Sequence, residues 1–130
     1  MSHIPKKESR FSIVARAKSF NHAWRGIRLF FMSTHNAWIQ VCIGALMIGA
    51  GIFFAISHYE WIALIFAIGT VLATEAMNTA FEIDIDLTSP EYHPYARDTK
   101  DVAAGAVLIT TIMASIIGAL IFVPKIIALF

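Results

Sequence analysis

Glu75, Asn78, Glu82 and Asp86 stand three, four and four residues apart within the segment TEAMNTAFEIDID. At about 100° per residue this spacing puts all four on one narrow face of a continuous helix, while Asp84 points elsewhere. The stripe ends an apolar run that begins at Trp61. A rise of about 1.5 Å per residue then carries Glu75 roughly 20 Å into a hydrocarbon core about 30 Å thick. An ionisable group at that depth is costly, and it belongs in a bundle interior or wet cavity where it has a partner or a task. Asp86 falls near or past the interface, close in sequence to Arg97 and Lys100. Two chemistries fit these residues. Carboxylates beside a lysine suit a divalent cation and a polyphosphate, since magnesium takes one or two carboxylates and completes its shell with phosphate and water, and lysine offers phosphate a point charge. A chain of buried carboxylates also suits a proton or cation relay in a non-enzymatic membrane subunit.

The elements that position these groups follow from composition. Of 130 residues, 58% are hydrophobic and 15% charged, with a formal net charge of +1. One soluble core of this size cannot hide that much apolar surface, so the expectation is an all-α integral membrane protein of one domain, residues 1–130. The polar start MSHIPKKESR lacks the apolar core and cleavage site of a signal peptide. A helix from about residue 9 to 31 places Ile13, Ala17, Phe20, Trp24, Ile27 and Phe31 every three or four positions with Arg16, Lys18, His22, Arg25 and Arg28 between them, which predicts an amphipathic helix lying in the headgroup layer. Three spans follow, over about 36–57, 61–86 and 101–124. His58 to Glu60 form the first link, and Ser89 to Lys100 a longer loop with two prolines. Asp101 is the expected N-cap or first-turn acid of the third span.

Seven of the ten Lys and Arg residues precede the first span, two lie in the second loop and one in the tail. The N-terminus and the second loop are therefore expected in the cytoplasm, at the same face as the carboxylates. Small residues at Gly44, Gly49 and Gly51, and at Ala103, Ala104, Gly105, Ala114 and Gly118, are expected to allow close helix approach. Cys42 stands alone, so no intramolecular disulfide can form. The glycine-rich loop that cradles phosphate in soluble nucleotide-binding proteins is missing.

The segments EAMNTAFE (Glu75–Glu82), EYH (Glu91–His93) and KDVAAGAVL (Lys100–Leu108), together with Asp86, resemble the small prokaryotic diacylglycerol kinase family, which includes the undecaprenol kinases. The resemblance covers most of the chain. It implies a homotrimer in the bacterial inner membrane, one surface helix and three spans per subunit, and active sites shared between neighbours. It implies phosphorylation of a membrane lipid hydroxyl by MgATP, with diacylglycerol slightly preferred over undecaprenol. No nucleic-acid partner is expected.

Carried onto this chain, the resemblance makes Glu75 the general base at the lipid hydroxyl and Glu82 the magnesium ligand. Asn78 then hydrogen-bonds near the reacting phosphoryl group, and Lys100 neutralises transition-state charge. Asp86 and Asp101 fall at the nucleotide pocket. His93 is either a nucleotide contact or a loop-ordering hydrogen bond. His22, Trp24, Gly26 and Arg28 sit in the region that covers the nucleotide, with Arg28 inclined towards lipid headgroups. Many members carry a Glu two residues before the Asn that opens the first span. Here Thr34 stands two before Asn36, so a second protein ligand for the metal is missing from that position, and water, Asp84 or a neighbouring subunit would have to substitute.

Overall fold

The computed structural model describes residues 11–130 and contains four helices. Helix α1 spans Ile13–Ser33, α2 His35–Phe53, α3 His58–Thr88 and α4 Pro94–Ile127. The last three are long and apolar enough to cross a membrane. Residues 9 and 10 of the expected first helix lie outside the described residues.

Ser12 caps α1, its hydroxyl accepting from the Ala15 N–H at 3.4 Å. Only Thr34 separates α1 from α2. Its extended backbone breaks the helix, and its hydroxyl accepts from the Asn36 N–H at 3.2 Å, satisfying one of the free donors at the start of α2. Trp38 ties the corner together: its indole N–H donates to the Phe31 carbonyl at 2.8 Å, and the two rings lie 5.2 Å apart.

The boundaries at the other end of the bundle differ from those expected. Helix α2 stops at Phe53 rather than Ser57, because Ala55 adopts φ 48° and turns the chain. His58, Tyr59 and Glu60 are not a link but the first turn of α3. Ser57 and Glu60 explain this, since the Ser57 hydroxyl accepts from the Glu60 N–H at 3.2 Å and the Glu60 carboxylate accepts from the Ser57 N–H at 3.1 Å. Thirty-one residues make α3 about 46 Å long, more than a hydrocarbon core requires.

Helix α4 starts at Pro94, seven residues before the expected Asp101. The loop is thereby reduced to Ser89–His93, and Asp101 is neither N-cap nor first-turn residue but lies exposed within the helix. Proline signals a loop when read alone, yet at the first helical position it loses no hydrogen bond and already has the right φ. His93 is the actual N-cap, its Nδ1 accepting from the Tyr95 N–H at 3.2 Å. At the far end Pro124 sits inside the helix, which continues to Ile127.

Helices α3 and α4 pack antiparallel along their length, with an ion pair near each end: Lys100–Asp86 at 2.6 Å and Lys125–Glu60 at 2.7 Å. Helix α2 packs on α3, and α1 touches the α2–α3 side. The buried apolar cluster of Ile56, Leu64, Ile121 and Phe122, flanked by Met47, Phe54 and Trp61, occupies the α2–α3 turn end, opposite the carboxylates. Of the close approaches expected at glycines, two occur within the chain. A Cβ on Gly51 would lie 2.8 Å from the Trp61 ring, and one on Gly44 would lie 3.1 Å from Ile68. Gly49, Gly105 and Gly118 meet nothing within 4 Å, so their small size does not serve packing inside one chain.

Candidate active site

The stripe lies on one unbroken helix, and its inner members are withdrawn from the surface. Glu75 is 4% exposed, Asn78 8% and Thr79 8%, the only buried polar side chains among the described residues. Helix α2 covers Glu75 with Gln40, whose Nε2 donates to Glu75 Oε2 at 3.0 Å. One turn further, Asn78 Nδ2 donates to Glu82 Oε1 at 3.4 Å. Thr79 turns its hydroxyl back on the helix, donating to the Glu75 carbonyl at 3.0 Å. Two buried acceptors, Asn78 Oδ1 and Gln40 Oε1, make no hydrogen bond. Buried polar atoms are normally satisfied, so each is a place where an incoming donor or cation would be favoured.

Towards the end of α3 the site opens. Glu82, Asp84 and Asp86 are exposed. Lys100 reaches across from α4 to Asp86 rather than to the inner carboxylates. Beside that pair a cleft of about 300 Å³ is lined by Asp86, Glu91, His93, Arg97 and Lys100. The arrangement therefore has two parts: a buried carboxylate with its amide partner, and an open, mixed-charge cleft about three turns away.

Each expected site residue can now be located. Glu75, Asn78, Glu82 and Asp86 share α3 as expected, and Lys100 joins them through Asp86. His93 makes the helix-capping bond described above and also lines the cleft. His22 and Asp101 are exposed, and among the described residues neither forms a hydrogen bond or ion pair with the stripe. Thr34 is engaged in capping α2. No group of three or more His, Cys, Asp or Glu side chains suited to a metal gathers among the described residues.

Gln40 is the site residue that reading the sequence missed. Its signal was present, a primary amide one turn into an otherwise apolar run, but only the packing of α2 on α3 reveals its partner.

An all-helical, multi-pass membrane protein with a buried carboxylate and a charged cleft is the class that fold and site define. Residues 21–122 match the model of the prokaryotic diacylglycerol kinase family. The chain is similar to an undecaprenol kinase of Bacillus subtilis strain 168, at 35% identity over 94% of this chain and 99% of that protein. It is 36% identical to a diacylglycerol kinase of Synechocystis over 85% of this chain but only 64% of that longer protein. A diacylglycerol kinase of Helicobacter pylori strain 26695 is 28% identical over 84% of this chain and 91% of its own. The chain belongs to the prokaryotic diacylglycerol kinase family, and it is a lipid kinase.

Proposed function

We propose that the chain transfers the γ-phosphoryl group of ATP to the hydroxyl of a membrane lipid, with Glu75 as general base. The observation that carries this reading is the burial of Glu75 within an apolar helix, with one carboxylate oxygen held by Gln40 and the other free of hydrogen bonds among the described residues. A lipid alcohol is a poor nucleophile until its proton has an acceptor, and a carboxylate fixed in a dry site can supply one. In the step itself the lipid oxygen bonds to the γ-phosphorus, the bond from that phosphorus to the β,γ-bridging oxygen breaks, ADP leaves, and the hydroxyl proton passes to the free oxygen of Glu75. Lys100 and Arg97, at the open cleft, would offset phosphate charge, with Lys100 exchanging its Asp86 partner for phosphate oxygens.

Magnesium fits the donor set. Glu82 and the unpaired Oδ1 of Asn78 are hard oxygen donors one turn apart, and magnesium favours a few such oxygens alongside phosphate. When bound it would neutralise charge on the nucleotide phosphates. Thr34, already engaged in capping α2, is not available as an anionic ligand. In this reading Asp86, Asp101, His22 and His93 border the nucleotide, the N-terminus and the Ser89–His93 loop face the cytoplasm, α1 lies on the membrane surface, and three copies assemble with shared sites.

Of the two lipids, diacylglycerol follows from the sequence reading, while the near end-to-end match to a protein named undecaprenol kinase favours the polyprenol. The test is a phosphorylation assay in lipid micelles with MgATP and each lipid in turn. Phosphatidate or polyprenyl phosphate is the expected product. Folded protein that phosphorylates neither alcohol would refute the proposal.

A further inference from the structure

Gln40 is a neutral amide, half-buried in an apolar helix, whose Oε1 is itself buried without a hydrogen bond, a costly arrangement that calls for a return in binding or chemistry. Among the described residues its sole hydrogen-bond partner is Glu75, and its own Oε1 stays unpaired. Two observations show how directed the contact is. Ala37, one turn earlier on α2, is fully buried at 0% exposure, and Gly44, one turn later, would bring a Cβ within 3.1 Å of Ile68. The small residues on either side press α2 against α3 and leave the Gln40 side chain no wide range of positions. The same amide also lines a groove of about 380 Å³ between α2, α3 and α4, whose other walls are mostly apolar.

We infer that Gln40 is a positioning residue for Glu75: it ties one carboxylate oxygen in place, so that the other oxygen is presented as the proton acceptor. This rests on the reading of Glu75 as the base. The groups around Glu75 leave that task to Gln40. On α3 the next carboxylate is Glu82, two turns on. On α4, the residue as far beyond Lys100 as Glu75 is before Asp86 is Thr111, which is uncharged. On α2, Ala37 and Gly44 carry no charge. Helix α1 carries His22, Arg25 and Arg28, yet both ion pairs among the described residues lie at the ends of α3, away from Glu75.

The experiment compares Gln40→Leu, Gln40→Met, Gln40→Glu and Glu75→Gln in micelles, measuring kcat, KM for ATP and KM for the lipid, with oligomer size as the folding check. Losing one hydrogen bond to a charged group should lower kcat about 10- to 100-fold in Gln40→Leu and Gln40→Met, with KM for ATP unchanged. In Gln40→Glu the amide donor gives way to a second carboxylate facing the first, and kcat should fall at least as far. A purely structural role would change KM or reduce assembly along with kcat. Wild-type kcat in the leucine and methionine variants, or a fall in kcat accompanied by a matching change in KM or loss of the oligomer, overturns the inference. Gln40→Met preserves volume and carries the test if Gln40→Leu fails to assemble. Turnover surviving in Glu75→Gln would instead remove Glu75 as base, which separates failure of the general reading from failure of this one.

Discussion

At the scale of single residues, what distinguishes Glu75 from the other acids is its environment rather than its chemistry. Glu82 and Asp86 lie on the same helix face but are exposed, whereas Glu75 is buried and held. Replacing Glu75 with Gln keeps the shape and removes the proton acceptor. Turnover should fall at least about 100-fold, within the range a general base contributes, while the oligomer survives; a product-formation assay beside size-exclusion chromatography checks both. Glu82→Gln should behave differently, raising the magnesium concentration needed for half-maximal rate, read from a metal titration of the same assay. A metal requirement that does not change would remove Glu82 as a ligand.

At the scale of elements, the two ends of α3 are built by opposite means. The end at Ser57 is fixed by reciprocal capping bonds, the buried apolar cluster and the Lys125–Glu60 ion pair, which is roughly three-quarters buried on both sides. The end at Asp86 is open and polar. The turn that joins α2 to α3 contains the one flaw in the rigid end, the left-handed Ala55. An alanine there carries a penalty of about 1 kcal/mol that glycine avoids, so Ala55→Gly should stabilise the protein by about that amount in a detergent unfolding titration. Gly51 is the converse. Its missing Cβ makes room for the Trp61 ring, and Gly51→Leu should separate α2 from α3 and lower thermal stability while leaving the Glu75 chemistry untouched in whatever fraction stays folded.

At the scale of the whole molecule, one chain leaves much apolar surface uncovered. It exposes 10493 Å², against about 6,800 Å² expected for a compact monomer of its mass, and large apolar side chains dominate that surface from Trp38 to Phe130. Lipid must cover some of it, and the proposed neighbouring copies the rest. Chemical cross-linking in native membranes should give a ladder that ends at three copies. A ladder ending at two, or none at all, would contradict the trimer.

How much was legible in advance depends on the range of the forces involved. The helical face shared by Glu75, Asn78, Glu82 and Asp86, and the three apolar lengths, are properties of local periodicity, and residue order alone determined them. Element ends were less legible. Pro94 and Ser89 both look like loop residues, and only the chain's path distinguishes a helix-starting proline from a loop proline. Likewise, nothing in the run around Phe53 foretold a turn at Ala55, because a positive φ on alanine is imposed by tertiary packing rather than preferred locally. What the tertiary structure alone decided is the pairing across helices: Gln40 with Glu75, Lys100 with Asp86, Lys125 with Glu60. Those partners stand 35, 14 and 65 residues apart along the chain. Hydrogen bonds and ion pairs act over a few ångströms, and such distances are set by how one helix docks on another rather than by the spacing of residues within either.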